Sequence, residues 1–421
     1  MGIATGYSYK ELSVSPTDNF GIDAFGRSRV SNPQTLFDSK NIFNDEGIAS
    51  NLENLTLFWD NAETSGSGTT TEFRPDEACQ SLSVANTTAG TRVRQSKQRF
   101  NYQPGKSQLI ICTFNFISLD ANISKRAGYF DDDNGIFLET SGSTVNIVTR
   151  TNTSGTPSNT AIAQDDWNID KFDGTGASGV TLDLTKTQIL YIDFEWLGVG
   201  RVRVAFVVDG KIYYAHEFLN ANNLTTVYMS TPNLPVRYEI SNDGSGVASD
   251  LDCICSTVMS EGGIQENGQI RYAASSAACN ANVAGTVYAV IGIRLKSNYI
   301  GQTINLRNIS LSEITSGKEL RWFLRFNPTV AGTFTYSGES NSAIEVARGD
   351  TGNTVTGGTD IGGGFFSSVN RGGEVSSTLD SALNLGSKID GTVDEIVLCC
   401  TPLPGNSNAD VFGGIEWREL T

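Results

Sequence analysis

The sequence predicts an all-β chain: an antiparallel sandwich of jelly-roll or concanavalin-like type, with an extended N-terminal arm and a second, smaller β-unit; a barrel is the runner-up. Three observations carry this. Short runs rich in Thr, Val, Ile, Tyr and Phe recur along the chain, with 21 Phe and 13 Tyr among 421 residues. That is the composition of strands packed on one another. The 44 glycines are too many for a helical protein, because each costs about 1 kcal/mol in a helix interior. Gly, Asn, Ser and Asp punctuate the runs where turns are needed.

Residues 1–44 read as the arm. Gly6, Pro16, Gly21, Gly26 and Pro33 forbid a long helix, while Phe20, Phe25, Leu36 and Phe37 call for a packing surface, on this chain or on a neighbour. Residues 45–317 read as the main sandwich. Strands are expected at 52–59, 69–73, 80–84, 91–95 and 107–116. Gly135–Thr140 and Ser143–Thr149 flank a Ser141-Gly142 turn. Arg201–Val208 and Lys211–Phe218 flank Asp209-Gly210, a type I′ hairpin signal. Further strands are expected at 188–196, 227–230, 236–240, 252–258, 287–295 and 304–311. Residues 318–421 read as the smaller unit, with strands at 319–326, 344–347, 393–399 and 414–420 and a glycine-rich loop at 357–364. No repeat of fixed period argues for a solenoid or propeller.

The net charge of −16 disfavours nucleic acid and anionic membranes, since phosphate neutralisation needs a surplus of Lys and Arg. No run reaches the ~18–20 apolar residues of a membrane helix, and the first residues lack a signal-peptide pattern. The seven cysteines are odd in number and sit mostly in apolar runs. They are expected as free, buried thiols in a reducing compartment.

No catalytic residue stands out, no cofactor is expected, and the chain is expected not to be an enzyme. The single histidine, His216, has no nucleophile elbow to serve and reads as structural. Cys253 and Cys255 have the wrong spacing for a zinc knuckle. Asp131, Asp132, Asp133 and Asn134 are the best metal candidate, since clustered oxygens suit calcium; a solvated acidic turn is the plainer reading. Glu195 beside Trp196 is a placement that sandwich glycosidases use, but with 46 acidic residues a suitable pair can always be found. The tryptophans read as core residues; exposed aromatic rings would instead stack on a glycan.

Two segments resemble a family of tailed-bacteriophage virion structural proteins, tail-fibre-like or accessory. One is Asp23-Ala-Phe-Gly-Arg-Ser-Arg-Val-Ser-Asn-Pro-Gln-Thr-Leu-Phe-Asp-Ser-Lys40, and the other is Arg99-Phe-Asn-Tyr-Gln-Pro-Gly-Lys-Ser-Gln108. Gly198–Val204, Asp209-Gly210 and Phe218–Asn222 extend the likeness, which covers roughly residues 20–240. The resemblance implies a virion component assembled in the host cytoplasm. Its partners would be other virion proteins and copies of itself, most simply a trimer. Position on tail, collar or capsid stays open. A decoration protein or a glycan-binding receptor module are the alternatives. Phe25, Gly26, Arg27, Arg29 and Phe37 are the expected assembly residues, with Gly26 in a turn and the two arginines in charge-assisted hydrogen bonds.

Overall fold

Asp209 and Gly210 both take positive φ, 51° and 75°. This is the backbone of a type I′ turn, whose twist matches that of the strands it joins. Around it Val208 lies opposite Lys211 and Val202 opposite Phe218. The second expected hairpin also forms, with Gly142 at φ 57° and Ser141 opposite Thr144.

The computed structural model describes residues 33–42, 58–265, 267–315, 317–367, 373–375 and 384–420. Among them there is no α-helix, and the chain is all-β. Packing divides it into two units. The first takes in described residues 33–42, 59–96 and 100–265; the second takes in 58, 97–99 and the described residues from 267 onwards.

The first unit contains β1 (Gln34–Lys40), β2 (Trp59–Gly66), β3 (Thr69–Arg74), β4 (Cys79–Val84), β5 (Gly90–Ser96), β6 (Gln108–Asn115), β7 (Ile123–Phe130) and β8 (Gly135–Ser141). It continues with β9 (Thr144–Thr151), β10 (Ser158–Ala163), β11 (Gln188–Phe194), β12 (Val202–Val208), β13 (Lys211–Phe218), β14 (Val236–Asn242) and β15 (Ser249–Ser260). An eight-stranded sheet runs β13-β12-β11-β6-β15-β4-β3, with β1 also paired to β15; a seven-stranded sheet runs β10-β9-β8-β7-β14-β5-β2. The strand pairings among the described residues are antiparallel, as expected for a jelly-roll or concanavalin-like sandwich.

Alternation places the core. Phe114, Ile192, Phe194 and Phe206 from one sheet meet Tyr129, Leu138, Ile147 and Tyr238 from the other, all fully buried. Burying each such side chain contributes about 1.5–3 kcal/mol. Two cations interrupt the pattern. Arg94 points inward over the Trp59 ring, 4.5 Å from its centroid, and donates to Asn41 and Asn61 Oδ1 at 2.9 Å each. Lys125 points inward and donates to the carbonyls of Phe116 and Ser118; burial lowers its pKa to about 8. All seven cysteines are free, and six of them are buried.

Two expectations about the N-terminal segment change. Residues 34–40 are a strand of the chain's own sheet, with Gln34 opposite Ser260 and Lys40 opposite Cys255. Phe37, expected at an assembly surface, is buried against Trp59 and Phe100, at ring distances of 5.7 and 5.1 Å. Phe25, Gly26, Arg27 and Arg29 lie outside the described residues.

In the second unit a six-stranded sheet places Tyr288–Leu295, Glu395–Pro402 and Glu319–Phe326 side by side. A five-stranded sheet is organised on Ala409–Leu420, which takes Gly268–Ala274 on one side and Ile304–Glu313 on the other. Because the final strand recruits both of these segments, the division falls at 265/266 and not near 317. The expected loop at 357–364 is mostly strand: Thr359–Ser367 pairs with Glu319–Phe326. Its glycines are needed for space, since a Cβ on Gly364 would stand 2.7 Å from Trp322 Nε1. The expected strand at 227–230 is irregular; Tyr228 donates to the Gly198 carbonyl.

Candidate functional site

The face of the seven-stranded sheet turned away from the core carries many polar side chains. Its residues are the alternates of the core positions, and the register orders them in cross-strand rows. Thr91, Ser241, Ser124 and Ser141 form the first row. Val93, Glu239, Arg126, Glu139 and Asn146 form the second. Gln95, Arg237, Gly128, Phe137 and Val148 form the third, and Phe130, Gly135, Arg150 and Asn159 the fourth. Two clefts open on this face. One of 670 Å³ is lined by Ser124, Ser141, Ser143, Ser241 and Asn242; one of 380 Å³ is lined by Arg126, Arg150, Arg237, Glu239 and Asp132. Thr91 lines both.

The smaller cleft is held by charge. Arg126 donates through Nε to Glu139 at 2.6 Å and through Nη1 to Glu239. Arg237 pairs with Glu239 at 2.7 Å and with Asp132 at 2.8 Å. Arg150 differs: Nε donates to Asn159 Oδ1 at 2.9 Å and Nη1 to the Asp131 carbonyl at 2.8 Å, both neutral acceptors. Beneath the three guanidinium groups lie the buried rings of Phe130 and Phe137. Arg150 sits 5.1 Å from the Phe137 centroid and Arg237 5.4 Å from that of Phe130. The ring faces lower the cost of holding cations so close together. Gly135 makes room, since a Cβ there would stand 2.0 Å from Phe130 Cβ.

These contacts set the titration. Burial raises the Glu239 carboxyl, but Arg237 and then Arg126 outweigh it, so its pKa lies below the ordinary range. Burial, then Arg126, lowers Arg150 from its ordinary value. The cleft therefore holds an ionised Glu239 tied to two arginines, and a third arginine that has no carboxylate within ion-pair distance among the described residues.

Asp132 borders the smaller cleft; the other expected site residues that are described fall elsewhere. Asp131 Oδ1 accepts from the Asp133 and Asn134 amides, and Asp133 accepts from Asn152 Nδ2. Asn134 Oδ1 accepts from Ser230, and Asp132 reaches Arg237. The four oxygen-bearing groups thus diverge into a turn and do not form one ligand set. Among the described residues the group with metal-ligand spacing is Glu77, Cys79 and Asp252. His216 Nδ1 accepts from the Asn168 amide at 3.2 Å, and burial lowers its pKa to about 4. Glu195 accepts from the Arg201 amide, and Trp196 donates to the Met229 carbonyl at 3.0 Å. Trp59, Trp167, Trp322 and Trp417 are buried. No local signal marks Arg126, Arg150 and Arg237, which lie on three different strands.

No family model and no curated protein matches the chain. Solved structures do resemble it. One is the carbohydrate recognition domain of Emp47p, with 11% identity, covering 56% of this chain and 99% of that one at a TM-score of 0.33. A Bacteroides ovatus GH16 protein of a mixed linkage glucan locus has 10% identity, with 53% and 99% covered and a TM-score of 0.36. A beta-1,3-glucanase from Mycobacterium marinum has 14% identity, with 54% and 100% covered and a TM-score of 0.33. The expectation that the chain is not an enzyme is therefore withdrawn, because glycoside hydrolases are among the structures it resembles. At these TM-scores the likeness assigns neither an activity nor a ligand to this chain.

Proposed function

We propose that the first unit is a carbohydrate-binding module and that its ligand lies along the outward face of the seven-stranded sheet. One observation carries this reading. Two clefts that share Thr91 run along the strands, and hydroxyl, amide, carboxylate and guanidinium groups line them in register. A sugar chain presents donors and acceptors along its length, and such a row matches them pair by pair. The rings under the site, Phe130 and Phe137, are fully buried, so recognition runs through hydrogen bonds without stacking. The test is a glycan array probed with the full chain, followed by Ser241→Trp to fill the larger cleft. Glycan binding that the tryptophan abolishes, with the far-UV spectrum unchanged, is the expected result. An array with no bound glycan sinks the reading, and unaltered binding by the variant moves the site elsewhere.

We also propose that the chain is a tailed-phage virion component, the glycan then belonging to the host surface. The resemblance at 23–40 and 99–108 supports this. Antibody labelling of intact particles tests it, and particles that carry no label would remove it.

A further inference from the structure

The smaller cleft is lined by three arginines and two carboxylates, Asp132 and Glu239, with Glu139 paired to Arg126, yet the charges are not evenly shared. Glu139, Glu239 and Asp132 are all engaged by Arg126 and Arg237. Arg150, only 9% exposed, spends Nε and Nη1 on neutral oxygens. Among the described residues its Nη2 has no partner, and it is not sealed from solvent; the same holds for Nη2 of Arg126. Both residues line the cleft. Arg237, a few per cent exposed, adds a buried Nε without a partner.

A guanidinium fixed by two hydrogen bonds and an aromatic ring is preorganised. It loses little freedom when its remaining edge takes a ligand. An arginine that only needed stabilising would have been paired with a carboxylate, as Arg126 and Arg237 are.

We propose that this end of the groove takes an oxyanion carried on a sugar, a uronate carboxylate or a sulfate ester, between Nη2 of Arg150 and Nη2 of Arg126. The hydroxyl row at Ser124, Ser141 and Ser241 then takes the neutral part of the same chain. Specificity is thus for acidic polysaccharide, although the protein as a whole carries a charge of −16. This rests on the groove reading above and narrows it.

The full chain is titrated calorimetrically at physiological salt with three oligosaccharides of equal length: an oligogalacturonate, a sulfated galactan and a neutral galactan. A charge-assisted hydrogen bond is worth about 1.5–3 kcal/mol, so one acidic ligand is expected to bind about 10–100-fold more tightly than the neutral one. Which acidic arm binds identifies the group. Arg150→Gln is expected to remove that advantage, leaving the acidic and neutral ligands bound within about twofold of each other. In the wild-type chain, the Arg150 side-chain nitrogen resonances are expected to shift with the acidic ligand only, a readout that does not depend on the variant's folding. Equal affinity for acidic and neutral sugars overturns this inference and leaves the groove reading standing. So does an acidic preference that survives Arg150→Gln with no resonance shift. Failure to bind any of the three, with an empty glycan array, overturns the groove reading itself.

Discussion

The two outward faces of the first sandwich each hold an arginine over an aromatic ring, and they use it in opposite ways. On the eight-stranded sheet Arg203 sits 4.4 Å from the Tyr214 centroid, with no exposure at all. It grips Asp193 through Nε at 2.6 Å and through Nη2, and Tyr214 Oη donates to the same carboxylate. Leu109, Tyr191, Ala205 and Tyr214 form a buried apolar cluster on the same face, and Ile169 packs against it. On the seven-stranded sheet Arg150 has the ring but no carboxylate, and it borders a cleft. A buried arginine whose charge is neutralised within the sheet serves the fold. One given only neutral acceptors next to a cleft is available to a ligand.

The largest test of this contrast is Asp193→Ala. It strands Arg203 as a buried, unpaired charge and is expected to cost about 3–5 kcal/mol, read by urea unfolding; a cost below about 1 kcal/mol would erase the difference between the faces. Gly135→Ala comes next. It pushes Phe130 out from under Arg150 and is expected to cost about 1–3 kcal/mol by overpacking, with weaker ligand binding in the same preparation. His216 gives a smaller, pH-dependent effect confined to the eight-stranded side. Its folded pKa is lowered from 6.5 to about 4, so the unfolded chain takes up the proton first. Stability is therefore complete above pH 6.5 and declines as pH falls towards 4. The loss is about 1–2 kcal/mol, allowing for solvent screening, and His216→Gln is expected to remove it from the difference between pH 7 and pH 4 unfolding curves. The smallest effect belongs to Arg150→Gln, expected within about 1 kcal/mol of wild type. A cost as large as that of Asp193→Ala would make Arg150 a structural residue like Arg203.

Local chemistry made much of the fold legible. Asp209-Gly210 and the Gly142 of Ser141-Gly142 announce hairpins because these residues enter positive φ, and the strands beside them alternate cleanly. β7 was missed for an equally local reason. Lys125 occupies an inward position, where carbonyls of Phe116 and Ser118 satisfy it, and a lysine there breaks the apolar period. The strand at 359–367 was hidden by glycines that the Trp322 indole requires. The unit boundary depends on which segments Ala409–Leu420 recruits, a long-range choice with no local mark. The site was illegible for the same reason. Arg126, Arg150 and Arg237 come from β7, β9 and β14, and only the register brings them together.

β15 joins β1, β4 and β6 in one sheet. Its pairing with β1 links Gln34 to Ser260, so a large loop must close before that pair forms. During synthesis the earlier strands must wait, with their edges open, until residue 260 has left the ribosome. Folding of the first sandwich is then a late, cooperative event, on the slow side of the range of about milliseconds to seconds for β-proteins dominated by non-local pairing. Until β15 arrives, the strand edges that it covers stay open to pairing with other chains.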